Sequence, residues 1–172
     1  RNKQAIEVGL GSRYGMICTN LAREMHGALI DEADMLPGDF RREQVCIGDE
    51  HRGFEQARFV PPPADRVDGL MRGWELFSNP TQEDRARPEW LPYWVNLALA
   101  HYQFETIHPF RDGNGRLGRA LVTIAPVKDG MLDHPVCNLS EWVQAHRQEY
   151  YDRLLRVSTH GEWEAWIRFF LT

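Results

Sequence analysis

The stretch His101-Tyr-Gln-Phe-Glu-Thr-Ile-His108-Pro-Phe-Arg-Asp-Gly-Asn-Gly-Arg-Leu-Gly-Arg119 decides how the rest of the chain is read. It opens at the end of a run, Tyr93 to Phe104, that is apolar almost all round and so predicts a buried central helix. His108-Pro109-Phe110 forms the exit. Gly113 and Gly115 lack a Cβ, so the backbone there is expected to turn sharply and present several N–H groups inward. A second helix is expected over Arg116 to Val127, with Pro126 set to kink it or end it early. A helix, a glycine-rich loop and a second helix place a polar loop between two core elements.

The chemistry of that loop follows from its residue types. A helix N-terminus carries unpaired donors and partial positive charge, a ready site for phosphate. Arg116 and Arg119 stand three apart and share a helix face, where they suit two phosphates or one held from two sides. Asp112 is an isolated carboxylate beside this cradle, as Mg²⁺ held against nucleotide phosphates needs. His108 stands just before the loop, placed to take a proton from an attacking hydroxyl. Each piece alone is ordinary, since a histidine at a helix end more often plays a structural part. All four fall between His108 and Arg119, and together they describe phosphoryl or nucleotidyl transfer.

Competing motifs fail on their details. Asp112-Gly-Asn114-Gly-Arg116 begins like a calcium loop, but Leu117 and Thr123 occupy the places of its glycine and closing glutamate. Glu105-x-x-His108 is half of a di-iron motif without a second copy. There is no Gly-Lys-Ser/Thr, which excludes a P-loop.

Outward from the loop, helical signals dominate. Ile17 to Leu29 carries Ile17, Leu21, Met25, Ala28 and Leu29 on one face, and Asp65 to Phe77 carries Val67, Leu70, Met71, Trp74 and Phe77. Leu36-Pro37-Gly38-Asp39-Phe40 reads as a turn and Ser78 to Pro88 as a loop. Ser140 suits an N-cap for a helix running through Leu155, and Glu162 to Leu171 makes the last helix. Val45-Cys46-Ile47 and Arg58-Phe59-Val60 are β-prone and predict a small hairpin, ended by Pro61-Pro62-Pro63. The fold class expected is all-α, one domain over residues 1–172, with a β-hairpin on its surface.

Bulk properties narrow the partners. With 172 residues and a net charge of −5, the chain has no basic excess for a nucleic-acid backbone, and none is expected as partner. Cys18, Cys46 and Cys137 are far apart and odd in number, which argues against a disulfide framework or zinc ribbon and for a reducing compartment. No apolar run approaches the roughly 20 residues a membrane span needs, and no secretory signal opens the chain. A soluble, cytoplasmic domain is expected. Because the chain starts at Arg1 and stops in the apolar run Trp166 to Leu171, it is expected to be a segment of a longer protein.

The segment from His108 to Arg119 resembles the Fic signature, H-x-F-x-(D/E)-G-N-G-R-x-x-R, at every defined position. Pro37-Gly38-Asp39-Phe40-Arg41, Phe59-Val60-Pro61-Pro62, His101-Tyr102-Gln103-Phe104-Glu105, Tyr150-Tyr151 and Trp163-Glu164-Ala165-Trp166 extend the resemblance over nearly the whole chain. The resemblance implies a Fic-fold helical bundle with a β-hairpin flap over the active site. It implies a protein adenylyltransferase that moves AMP from ATP to a Tyr, Thr or Ser hydroxyl, with His108 as base and Asp112 positioning Mg²⁺. Gly113, Asn114, Gly115 and Arg116 would hold the α- and β-phosphates, with Leu117 and Gly118 in the same ATP-binding stretch, and Arg119 would hold the γ-phosphate. Gln56, Ala57, Arg58 and Phe59 would form the flap, which covers the nucleotide and aligns a target segment by strand addition. Tyr150 would belong to the adenosine pocket, and Phe110 would anchor the loop in the core.

Two departures bear on regulation and base choice. The inhibitory pattern (S/T)-x-x-x-E-(G/N) is absent, since Ser158-x-x-x-Glu162 is followed by Trp163. An inhibitory helix is therefore expected outside this segment, in cis or from a partner, with self-modification as a further outcome. His146 and Ser158 stand where the family pattern has Asn. The intact Gly-Asn-Gly argues against a kinase. Other readings are a repressed or non-catalytic nucleotide- or partner-binding module, and a relative that uses another nucleotide or removes AMP.

Overall fold

The computed structural model describes residues 1–48, 54–87, 89–136 and 139–172. The centre of the molecule is α5 (Tyr93–Ile107), whose apolar faces are covered from two sides. On one side lies α3 (Val67–Ser78), whose Trp74 Nε1 donates to the Ala100 carbonyl at 3.0 Å. On the other lies α9 (Trp163–Phe170), whose Trp166 Nε1 donates to the Ala98 carbonyl at 3.0 Å. Each indole thus buries a large apolar surface and still satisfies its one polar atom.

The larger core gathers α1 (Asn2–Gly11), α2 (Thr19–Leu29), α3, α5 and α6 (Asn114–Lys128) around Leu21, Met25, Met71, Phe104, Phe110, Leu117 and Ile124. A smaller one, with Val143, Tyr150, Val157, Trp166 and Phe169, joins α7 (Leu139–Ala145), α8 (Arg147–His160) and α9. The signature loop, residues 108–113, connects α5 to α6, with Phe110 buried in the larger core. The loop's surroundings are therefore packed, while its outer face meets solvent.

Several expectations are corrected. α1 was not foreseen, because its contact face is made of small residues. A Cβ on Gly9 would stand 2.7 Å from Ile124 Cδ1 and 2.8 Å from Met25 Sδ, so the glycine lets three helices meet. The loop expected over residues 78–88 contains one helical turn, α4 (Gln82–Arg85), nucleated by a capping box between Thr81 and Asp84. The helix expected from Ser140 through Leu155 is two helices, broken at His146. Pro126 does not end α6, which continues to Lys128. It lies in the last turn, and its own carbonyl accepts from Met131 and Leu132 N–H.

The expected hairpin is not seen. Among the described residues there is no strand, and a single antiparallel bridge joins Ile47 to Phe59. The next rung is lost because the Gln44 side chain takes the Pro61 carbonyl at 2.8 Å and the Pro61–Pro63 run offers no N–H. Phe54–Gln56 forms a turn of 3₁₀ helix instead. The connecting residues 49–53, Cys137 and Pro88 lie outside the described residues. Among the described residues, no helix is long and apolar enough to cross a membrane.

Candidate active site

His108 caps α5 with a left-handed backbone, φ 50° and ψ 61°. Such a conformation costs a side-chain-bearing residue on the order of 1–3 kcal/mol and persists only where the surroundings enforce it. Here Arg41 enforces it. Buried between loop and core, its guanidinium donates to the carbonyls of His108 (2.8 Å), Glu43 (3.1 Å), Pro62 and Ile107 (3.4 Å), and its backbone N–H donates to Pro109. One cation thus gathers backbone oxygens that would otherwise be buried without partners.

The loop's inner side rests on Phe110, which is fully buried and stacks on His26 with centroids 3.8 Å apart. His26 Nδ1 accepts the Gly38 N–H at 2.9 Å, so Nε2 carries the proton and donates to the Asp112 carbonyl at 3.0 Å. Burial lowers the pKa of His26 and keeps it in the neutral form this double role requires. Gly113 turns the chain at φ 78°, where a Cβ would press on Ile30 Cδ1 at 3.0 Å. Asn114 then opens α6.

The His108 ring lies 3.3 Å from the Glu105 carbonyl through Nδ1. A carbonyl only accepts, so the proton sits on Nδ1 and Nε2 keeps its lone pair. Burial, reinforced by the nearby Arg41 charge, pushes the imidazole pKa down to about 4, against smaller opposing pulls from the Glu105 carbonyl and Asp112. At neutral pH this is an uncharged base with a free acceptor nitrogen.

A cleft of about 130 Å³ opens beside it. Ile47, Arg58 and Phe59 form one wall, Thr106, His108 and Gly115 line the base, and Tyr151, Leu154 and Ser158 form the opposite wall. Arg58 reaches across to Asp152 at 2.5 Å and lies over the Tyr151 ring, so one ion pair straps the flap segment to α8. Gln56, by contrast, is exposed at the end of its turn, and Ala57 is half-buried beside it.

The residues expected to bind nucleotide divide on this frame. Asp112 and Arg116 are at the rim, paired at 3.0 Å. Arg119 is half-buried, its Nε 3.4 Å from Ser140 Oγ. Asn114 does not offer its side chain to an anion, because both polar atoms are taken by the Phe110 backbone at 2.8 Å. Leu117 is sealed in the core. Gly115 lies inside helix α6, not in the turn, and Gly118 faces Glu105, His101 and Phe104. Tyr150 is buried with its hydroxyl on His101 Nε2 at 2.8 Å; the neighbouring Tyr151 is the tyrosine that lines the cleft. The sequence reading gave no role to His26, Arg41 or Glu105. The signal for His26 was a polar residue set among the apolar positions of α2, next to Met25.

Among the described residues, no three His, Cys, Asp or Glu side chains converge on a metal position. A lone exposed carboxylate beside an anion cradle suits Mg²⁺, which takes one or two carboxylates and completes its shell with phosphate and water oxygens. The residues present fit that ion.

The fold and loop have counterparts. The chain belongs to the Fic/DOC family, whose model matches residues 16–125. It is 32% identical over 147 residues to the protein adenylyltransferase Fic of Aedes aegypti and 31% identical over 147 residues to that of Culex quinquefasciatus. Each match covers 85% of this chain and 25% of the relative, so the chain spans about a quarter of the length of these curated relatives. A Fic family protein from Desulfovibrio desulfuricans G20 superposes with a TM-score of 0.68 at 25% identity, covering 97% of this chain and 47% of that one. Fic-1 from C. elegans matches the fold with a TM-score of 0.69 at 23% identity, over 98% of this chain and 45% of that one.

Proposed function

We propose that residues 1–172 form one catalytic domain of a protein adenylyltransferase, which moves AMP from ATP to a Tyr, Thr or Ser hydroxyl of a target protein. The observation that carries this reading is a neutral His108 with a free Nε2, beside a cleft and at the C-cap of α5, where the loop leads into the N-terminus of α6. The name protein adenylyltransferase Fic, borne by relatives about a third identical, supports the choice of group transferred.

In this mechanism Nε2 of His108 takes the proton of the incoming hydroxyl. The oxygen attacks the α-phosphorus, the bond to the bridging oxygen breaks, and pyrophosphate leaves while AMP remains on the target. Backbone N–H groups at Gly113, Asn114 and Gly115 meet the charge that develops on the phosphate. Arg116 and Arg119 hold the β- and γ-phosphates. Asp112 would hold Mg²⁺, which when bound neutralises phosphate charge; Arg116 then exchanges its carboxylate partner for phosphate. The backbone N–H and C=O groups of Ile47 and Phe59 are paired with one another, so a target segment that adds as a strand does so along residues flanking this bridge. An inhibitory helix, from a longer chain or a partner, acts by occupying Arg119. With the base neutral down to about pH 4, the acid limb of transfer is expected well below the usual histidine range.

A second reading concerns the base. Ser158 lines the far wall and its Oγ pairs with Tyr102 Oη at 2.8 Å, so a hydroxyl rather than an amide would meet the nucleobase. Competition by GTP, CTP and UTP measures how strongly ATP is preferred.

The test is incubation of the chain with Mg²⁺ and α- or γ-labelled ATP, against lysate and against itself. Label on protein from the α-position only is expected. Label from the γ-position only makes it a kinase, and none from either favours a repressed or purely binding module.

A further inference from the structure

We propose that Glu105 is a positioning residue for nucleotide phosphate, a carboxyl set beneath Gly115 and Gly118 that governs how much of the Arg119 charge is available to the ligand. The inference rests on the nucleotide-transfer reading above and extends it to a residue that reading leaves idle.

The geometry is specific. Glu105 sits in the last turn of α5 with its side chain 9% exposed. A Cβ on Gly118 would stand 2.4 Å from Glu105 Oε1. A Cβ on Gly115 would stand 3.0 Å from Arg119 Nη1 and 3.8 Å from Glu105 Oε2. The carboxyl and the guanidinium thus both lie within 4 Å of the Cβ position of Gly115, near one another without forming an ion pair. Oε1 has no hydrogen-bond donor, and Glu105 also lines the cleft. A buried carboxylate with an empty oxygen is costly, and uptake of a proton relieves it.

The surrounding groups leave that proton to Glu105. Facing it are His101 and His108 from α5, Arg119 from α6, Tyr150 and Tyr151 from α8, and Arg58 across the cleft. His101 is 3.9 Å away, but its Nε2 is engaged by Tyr150 and burial holds its pKa down to about 3. His108 is neutral above about 4, Tyr150 is driven well above its ordinary value, and the arginines stay cationic. Burial raises Glu105 to about 7, with Arg119 and Tyr150 opposing.

An ionised Glu105 competes with phosphate for the same guanidinium. A bound terminal phosphate in turn disfavours ionisation, so binding is coupled to uptake of a proton, and lower pH tightens binding by the reciprocal amount. Gly115 and Gly118, both inside α6, are thus matched to the carboxyl beneath them.

The dissociation constants of ATP and AMP are measured at pH 6 and pH 8 for the wild type and Glu105→Gln. The ligand's own titration is common to both proteins. From pH 6 to pH 8, the wild type is expected to lose ATP affinity by on the order of tenfold more than the variant does. AMP, which lacks the terminal phosphate, is expected to show no such difference. Should Glu105→Gln not fold, calorimetry of wild type at pH 7 in buffers of different ionisation enthalpy is expected to show proton uptake with ATP beyond that with AMP. Equal pH slopes in wild type and variant, or equal proton uptake for the two nucleotides, overturn the role of Glu105. Failure of the wild type to bind ATP at either pH overturns the nucleotide-transfer reading, and the inference with it.

Discussion

Arg116 and Arg119 stand three residues apart on one helix, yet they occupy different electrostatic worlds. Arg116 is 43% exposed and shares its charge with Asp112 at the rim, where water and salt screen it. Arg119 lies against Ser140 beneath the loop, within the field of the buried Glu105 and Tyr150. A charge in the drier place acts more strongly on a phosphate than the same charge in water. The family signature writes both as Arg, and only their neighbours tell them apart.

That contrast has consequences of decreasing size. Arg119→Ala is expected to weaken ATP binding about tenfold to hundredfold, because it removes a charge-assisted contact from a partly desolvated position. Gly118→Ala is expected to lower stability by about 1–3 kcal/mol, seen as an earlier urea midpoint, since the added methyl overlaps Glu105. Arg116→Ala is expected to weaken ATP by about threefold, in a salt-dependent way, as for other exposed pairs. If the two arginine variants lose equal affinity, the rim and floor distinction is wrong. Asp152→Asn, which loosens the Arg58 strap, is expected to cost at most about 1 kcal/mol and to act on nucleotide release rather than on the chemistry.

The sequence carried the central helix pair and the loop because their signals are long or chemically unusual. An all-round apolar run has few alternatives to burial, and a glycine-rich break after it marks a turn between two helices. What it hid was set by contacts remote in sequence. Gly9 makes α1 possible by making room for Ile124 and Met25, and no periodicity records that. Asn114 reads as a polar group in a phosphate loop, but a neighbour four residues back takes both its atoms. Tyr150 and Tyr151 are adjacent, and only the docking of Tyr150 on His101 decides which of them faces the cleft. The flap reads as a hairpin by composition, but a glutamine side chain takes the place of its second rung.

The most direct test of the account is transfer of α-labelled AMP by the wild type and by His108→Ala, with ATP binding measured on both. The account predicts that the variant loses transfer by at least about a hundredfold while binding ATP within a few-fold of the wild type. Undiminished labelling by His108→Ala contradicts it, because the base would then lie elsewhere.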